Sequence, residues 1–205
     1  LVYVFDMKIL LTGCCGFIGF NFVNSLVKTN KKIKIVGIDN LNNYYSVGLK
    51  KARLKILLKS KNFTFQKMDL ENLKLLNNLF KKNKFDCIFH LAAQAGVRYS
   101  IKNPKKYIDS NIVGFFNIIE LARKTNIKKI FYASSSSVYG DSKKFPLNEK
   151  TIINPKNTYG LTKKFNEELA EVYSNYYDIN FVGLRFFTVY GEWGRPDMMI
   201  LKYIE

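Results

Sequence analysis

Histidine is almost missing from this chain: His90 is the only one in 205 residues. Cysteine is scarce too, with Cys14 and Cys15 adjacent and Cys87 alone. That pattern offers neither metal-ligand spacing nor a disulfide framework, so no metal is expected and a reducing, cytoplasmic setting fits best. His90 lies inside an apolar run, where a packed, hydrogen-bonded core histidine is favoured over a catalytic base. No apolar run approaches the roughly 20 residues that span a bilayer, so no membrane segment or membrane partner is expected. Residues 1–6 lack the basic region and cleavage site of a signal peptide and read as a short leader ahead of Met7.

Acidic residues are also few, 16 against 33 basic ones, for a net charge of +17. The lysines come as scattered pairs, among them Lys31-Lys32, Lys50-Lys51, Lys105-Lys106, Lys128-Lys129 and Lys143-Lys144, and not as one helix face. Such a field attracts anionic ligands in general. No nucleic-acid-binding motif accompanies it, so no nucleic acid partner is expected. With 47% hydrophobic residues the chain can bury the core of one domain.

What is present is a repeating alternation of short apolar runs and helical patterns. Met7–Thr12 reads as a buried strand, and Gly13-Cys14-Cys15-Gly16-Phe17-Ile18-Gly19 opens a helix over Phe20–Lys28. Glycines there let the backbone turn sharply and approach a phosphate at the helix N-terminus. A second strand, Lys34–Ile38, ends in Asp39, about 20 residues past the last glycine, where a carboxylate bonds ribose hydroxyls and repels a 2′-phosphate. NAD is therefore expected over NADP.

Further helices are expected over Val47–Leu58, Leu73–Lys81 and Pro104–Thr125, with strands at Phe63–Lys67, Phe85–Leu91, Lys129–Ala133 and Asn180–Phe187. This predicts an α/β fold, a Rossmann-type doubly wound parallel sheet. Ligands in such sheets sit beyond the carboxyl ends of the strands. Gly13–Gly19, Asp39, Ala92–Gln94 and Ser134–Ser137 all fall there. Pro155 suits the start of a helix that carries Tyr159 and Lys163, four apart and so on one face. A cation beside a phenol favours the phenolate and moves its pKa towards neutrality. Arg195, in a Gly/Pro-rich loop, reads either as a bidentate clamp for a carboxylate or phosphate or as a surface arginine.

Taken together, Gly-x-x-Gly-Phe-Ile-Gly at 13–19, Asp39, Asp69, the stretch His90–Ser100, the serines before Val138-Tyr139-Gly140, and Tyr159-x-x-x-Lys163 resemble the extended short-chain dehydrogenase/reductase superfamily. Within it, Gln94–Ser100, Tyr132–Gly140 and Leu184–Met198 resemble the UDP-glucuronate 4-epimerases. The resemblance implies a tightly held NAD and a redox-neutral inversion at C4 of a UDP-sugar through a 4-keto intermediate. Tyr159 would be the base, Lys163 would lower its pKa and bond the nicotinamide ribose, and Ser135 would hydrogen-bond the C4 oxygen. Implied cofactor contacts are Gly13, Gly16, Phe17, Ile18, Gly19, Asp39 and Asn40 from the first half of the site. Asp69, Leu70, Leu91, Ala92, Ala93 and Gln94 would complete them, with Tyr159 and Lys163. Implied substrate contacts are Arg98, Ser135, Ser136, Ser137, Tyr159, Thr188 and Arg195. A homodimer through helices at about 104–125 and 155–177 is also implied.

Related dehydratases and decarboxylases carry an acid shortly after the position of Ser135; here Ser136 and Ser137 follow. Neutral-sugar epimerases usually have Asn at the position of Thr188, which favours a uronate. Members of the family continue past the position of Glu205 into a smaller substrate domain. The expected organisation is thus a leader at 1–6, an NAD-binding catalytic domain at 7–195 and the start of a truncated substrate domain at 196–205. The alternatives are a truncated NAD-binding remnant without catalysis, and another sugar-nucleotide epimerase or dehydratase.

Overall fold

The computed structural model describes residues 7–143 and 145–198. The expected leader at 1–6 and residues 199–205 of the expected substrate domain lie outside the described residues, as does Lys144. Six strands form one parallel sheet in the order β3-β2-β1-β4-β5-β6. They are β1 (Lys8–Thr12), β2 (Lys34–Asp39), β3 (Phe63–Lys67), β4 (Cys87–His90), β5 (Lys129–Ser135) and β6 (Asn180–Phe186). Strand β1 is buried from Ile9 to Thr12, the continuous apolar run of a strand covered on both faces.

Successive side chains of a strand point to opposite faces, and the core divides accordingly. Ile9 and Leu11, with Ile35 and Cys87, pack against Phe20, Val23 and Leu57. These come from helices α1 (Phe17–Thr29) and α2 (Val47–Leu57). On the other face Leu10, Val36, Ile88 and Ile130 meet Leu76, Phe115, Ile118 and Ala170. That layer belongs to α3 (Leu73–Lys82), with two longer-range partners, Gly114–Lys124 and Thr158–Tyr177. No helix among the described residues is long and apolar enough to cross a membrane.

The structure corrects several expected boundaries. The first helix begins at Phe17, three residues before the expected start, which places Gly19 in its first turn. A short helix, α4 (Val97–Lys102), was not anticipated. The single helix expected over 104–125 is instead α5 (Pro104–Tyr107), a π-helical segment Ile108–Val113, and α6 (Gly114–Lys124). The extra residue of a π turn rotates the chain locally. Helix α7 (Thr158–Tyr177) starts three residues after Pro155, because Asn157 caps it by accepting from Gly160 N at 2.8 Å. The order of strands reverses between β1 and β4, so the loops that follow these two strands frame a crevice.

Candidate active site at the carboxyl ends of the strands

All the site residues expected from the sequence line one cavity of about 860 Å³. Its floor is the glycine-rich turn between β1 and α1. Gly13 N bonds Ile38 O at 2.8 Å, and Gly16 N bonds Gly13 O at 3.0 Å, closing the turn. A Cβ placed on Gly19 would stand 2.2 Å from Gly13 O, so only glycine allows α1 to start this close to the loop. No side chain caps α1 at Gly16, and Phe17, Ile18 and Gly19 of its first turn line the cavity. An uncapped helix N-terminus over a glycine cradle fits a dinucleotide pyrophosphate.

Asp39 closes β2, with Oδ2 accepting from Cys15 N at 3.0 Å and Oδ1 from Leu41 N at 2.8 Å. Burial raises its pKa, while those amides and the Lys50 and Arg53 cations oppose the rise. Asn40 donates to Asp69 Oδ1 at 2.6 Å, joining the ends of β2 and β3 beside Leu70. Leu91, Ala92, Ala93 and Gln94 form the wall beyond β4. Cys14, Cys15 and Asp39 have potential ligand atoms within 4.8 Å of one another. Burial pushes the Cys14 thiol well above its ordinary value, towards the protonated form that does not ligate.

The three residues expected to react line the cavity from the end of β5 and the start of α7. Gly160 lets α7 lie against the serine run, since a Cβ there would come within 2.6 Å of Ser137 O. Tyr159 and Lys163 follow on one helix face, and Ser135 ends β5. Burial raises the Tyr159 pKa; a hydrogen bond from Ser135 and the charge of Arg195 oppose it. Lys163 is anchored to the end of β5. Its Nζ donates to Ala133 O at 2.8 Å, and burial lowers its pKa to about 8. In this structure the strand-end carbonyl, not the phenol, holds the ammonium. Ser136 and Ser137 sit on the turn after β5, with Ser137 N donating to Ser135 Oγ at 3.2 Å. Ser134 also lines the cavity and donates to Glu167 Oε1 at 2.5 Å.

His90 is a core residue, 1% exposed, with Nδ1 3.1 Å from Thr12 Oγ1. Burial and the Lys163 charge lower its pKa to about 3.

The loop after β6 supplies the last wall. Thr188 and Arg195 line the cavity, as does Arg98 from α4. Asp197 accepts from Arg195 Nε at 3.0 Å and Nη2 at 2.5 Å, so two of the donors expected for a ligand carboxylate are already engaged.

The sequence reading missed the residues that support these walls. Arg53 is fully buried; its Nη1 donates to Cys15 O at 3.0 Å and Tyr45 Oη at 2.7 Å. Its Nη2 donates to Trp193 O at 2.5 Å and Gly194 O at 3.2 Å, tying the glycine-rich turn to the last loop. Tyr44 lines the cavity and donates to Asp197 Oδ2 at 3.1 Å. Asn111, in the π segment, accepts from Gln94 N at 2.7 Å and donates to Gln94 O at 3.0 Å and Thr162 Oγ1 at 3.1 Å. An arginine inside an otherwise amphipathic helix was the one available signal, and it reads equally as a surface residue.

Comparison with known proteins agrees with this geometry. The sequence pattern of the NAD dependent epimerase/dehydratase family matches residues 9–205. Protein CapI of Staphylococcus aureus is 51% identical over 198 residues, 96% of this chain and 58% of that protein. UDP-glucuronate 4-epimerase 4 of Arabidopsis thaliana is 45% identical over 194 residues, 94% of this chain and 44% of that protein. The solved UDP-glucuronic acid 4-epimerase of Bacillus cereus, in complex with UDP-glucuronic acid and NAD, superposes with a TM-score of 0.87. It is 36% identical, across 97% of this chain and 62% of that one. The chain thus spans less than two thirds of the length of each of these relatives. Cradle, sheet order and sequence pattern lead to one conclusion: the chain belongs to the NAD-dependent epimerase/dehydratase family.

Proposed function

We propose that this chain carries the catalytic site of an NAD-dependent UDP-sugar 4-epimerase, with UDP-glucuronate as the substrate and UDP-galacturonate as the product. The observation that carries the reading is the convergence of Ser135, Tyr159 and Lys163 on the same cavity as the Gly13–Gly19 cradle. NAD is the cofactor of this family, and when bound it accepts a hydride from C4 of the sugar and returns it.

The protein's own residues do the rest. Gly16–Gly19 and the first-turn amides of α1 seat the pyrophosphate. Asp39 accepts from a ribose hydroxyl and excludes a 2′-phosphate. Tyr159 Oη takes the C4 hydroxyl proton as the hydride leaves, and returns it to the C4 oxygen when the hydride comes back to the opposite face of the 4-keto sugar. Ser135 Oγ holds the C4 oxygen against Tyr159. Lys163 donates to the nicotinamide ribose and sets a positive charge one helical turn from the phenol, which favours the phenolate. Confinement of the keto sugar beside the cofactor makes its return a proximity effect.

Thr188 and Arg195 take the uronate carboxylate in this reading, with Arg195 exchanging Asp197 for the ligand; its support is that both line the cavity. Ser136 and Ser137, where the dehydratases carry acids, support epimerisation over elimination. Two copies pair through α6 and α7.

Tyr159→Phe tests the assignment. It removes the proton acceptor and leaves the cradle alone, so NAD affinity stays within about twofold while turnover of UDP-glucuronate falls about 10²–10⁴-fold or more. Product is read by chromatography of the UDP-uronates, and NAD by calorimetry. A variant as active as the parent would sink the mechanism. If the parent chain binds NAD but forms no product, the second reading holds, a dinucleotide-binding portion without turnover; its support is the 58% share of a relative's length.

A further inference from the structure

In a parallel sheet every strand starts, and every crossover helix ends, on the side away from the ligand cavity. This topology collects basic residues that the sequence scatters. The last turns of α1, α2, α3 and α6 carry Lys28, Lys55, Lys81, Lys82, Arg123 and Lys124. The loops that follow add Lys31, Lys32, Lys59, Lys61, Lys84 and Lys128, all exposed. Strand starts add Lys8, Lys34 and Lys129, with Lys8 beside Lys34 in the register of β1 and β2.

Among the described residues three acids share this end, and each is engaged. Asp86 accepts from Lys8 N at 2.6 Å, Asp178 pairs with Lys128 at 2.9 Å, and Glu120 pairs with Arg123 and Lys124. Among the described residues, fifteen basic side chains lie here against three acidic ones, a net excess of twelve positive charges on one end. A compositional bias for lysine raises the total but does not sort it in this way. Cations in last turns complement helix dipoles. The loop lysines lie past those turns and exceed that role.

We propose that this end of the sheet is a docking surface for an anionic lipid membrane. Three features favour a lipid surface over nucleic acid. The charges are nearly all lysine, a point charge suited to a diffuse anionic plane, and not the guanidinium fork of phosphate-by-phosphate recognition. They are spread across four short loops and helix ends, with no helix N-terminus among the described residues of the kind that nucleic acid sites use, and the exposed Tyr176 and Tyr177 at the end of α7 are amphipathic rings that suit a headgroup layer. Leu58, 54% exposed, stands between Lys55, Lys59 and Lys61, an apolar side chain placed to enter the headgroup region. Docked this way, the protein keeps the mouth of its cavity facing water. No membrane partner is expected from the sequence because its lysine pairs come together only in the fold.

Co-sedimentation with vesicles tests the proposal on the chain itself. Vesicles of about one third phosphatidylglycerol in phosphatidylcholine retain the protein at low salt, and pure phosphatidylcholine vesicles do not. Binding weakens steeply as salt shortens the screening length. Lys31→Gln, Lys32→Gln and Lys59→Gln together lower partitioning roughly a hundredfold, about fivefold for each lysine near the surface. Lys51→Gln, Lys67→Gln and Lys74→Gln make the same charge change at the other end of the sheet and leave binding within about twofold. Absence of binding to the anionic vesicles, or equal losses from the two triple variants, overturns the proposal. So does retention of double-stranded DNA with no vesicle binding, which would mark a nucleic acid surface instead. None of these readouts depends on NAD or on turnover.

Discussion

Lys163 is held at a cost in the ligand-free fold. Its ammonium is 1% exposed, and burial lowers its pKa to about 8 from an ordinary 10.5. Between pH 8 and 10.5 the unfolded chain keeps a proton that the folded one has released, so this residue makes stability rise with pH across that window. Below pH 8 the fold carries the whole penalty, about 3 kcal/mol. Lys163→Met has no such titration. Urea unfolding of the two proteins without NAD should therefore show wild type gaining about 3 kcal/mol on the variant between pH 7 and 10.5. A difference that stays constant across that range would refute the assigned burial cost. The same residue explains what the motif alone did not reveal. Four-residue spacing puts Tyr159 and Lys163 on one helix face, but spacing carries no information about the Ala133 carbonyl that captures the ammonium. His90 was legible because an apolar run on a strand leaves a side chain little choice but the core, and Thr12 satisfies its ring.

Among the elements, the last loop depends on a helix far from it in sequence. Arg53 of α2 reaches the carbonyls of Trp193 and Gly194 on one side and Cys15 on the other. Asn21 of α1 donates to Glu192 O at 3.1 Å, and the Phe20 ring packs tilted against Trp193 at 5.4 Å between centroids. Arg53→Lys keeps the charge but loses the fork, leaving buried carbonyls unpaired, a loss of about 3 kcal/mol by denaturant unfolding. The loop then opens first, so limited proteolysis should cut within residues 191–198 faster than in the parent. Cutting at the parent rate would mean that Asn21 and Trp193 hold the loop without Arg53. Gly19→Ala acts on the facing element. With Gly13 O in the way of its Cβ, α1 must shift, and NAD affinity should drop at least tenfold by calorimetry. Strands and long helices were legible because period 2 and period 3.6 survive in the sequence. The π segment was not, since an inserted residue has no periodic signature, and with it went Asn111 and its grip on Gln94. Helix α4 is six residues between Gly96 and Asn103, too short to show a repeat.

For the whole molecule, the exposed apolar surface bears on assembly. Leu161, Phe165 and Val172 are 57%, 38% and 48% exposed and recur at helical spacing on one face of α7. Phe116 of α6 is 44% exposed and Ile108 of the π segment 42%, although their neighbours Phe115 and Ile118 are fully buried. These helices cover the same face of the sheet, and we read their five exposed side chains as one apolar patch of a kind that water-facing helices do not usually present. A second copy turned about a two-fold axis would bury it in a four-helix contact, with each patch meeting itself. Light scattering after gel filtration should then give about twice the 23.8 kDa mass of the chain. Leu161→Glu with Phe165→Glu places charges at the centre of the patch and should return a mass of about 23.8 kDa with an unchanged circular dichroism spectrum. A parent that already runs at the single-chain mass would remove the dimer and leave the patch to some other cover. Separation of functions by place gives this experiment its reach. The cavity opens at the carboxyl ends of the strands, the lysines gather at the opposite end, and the apolar patch lies on a side between them. Breaking the dimer should therefore leave NAD affinity unchanged, because every cradle residue comes from the same copy.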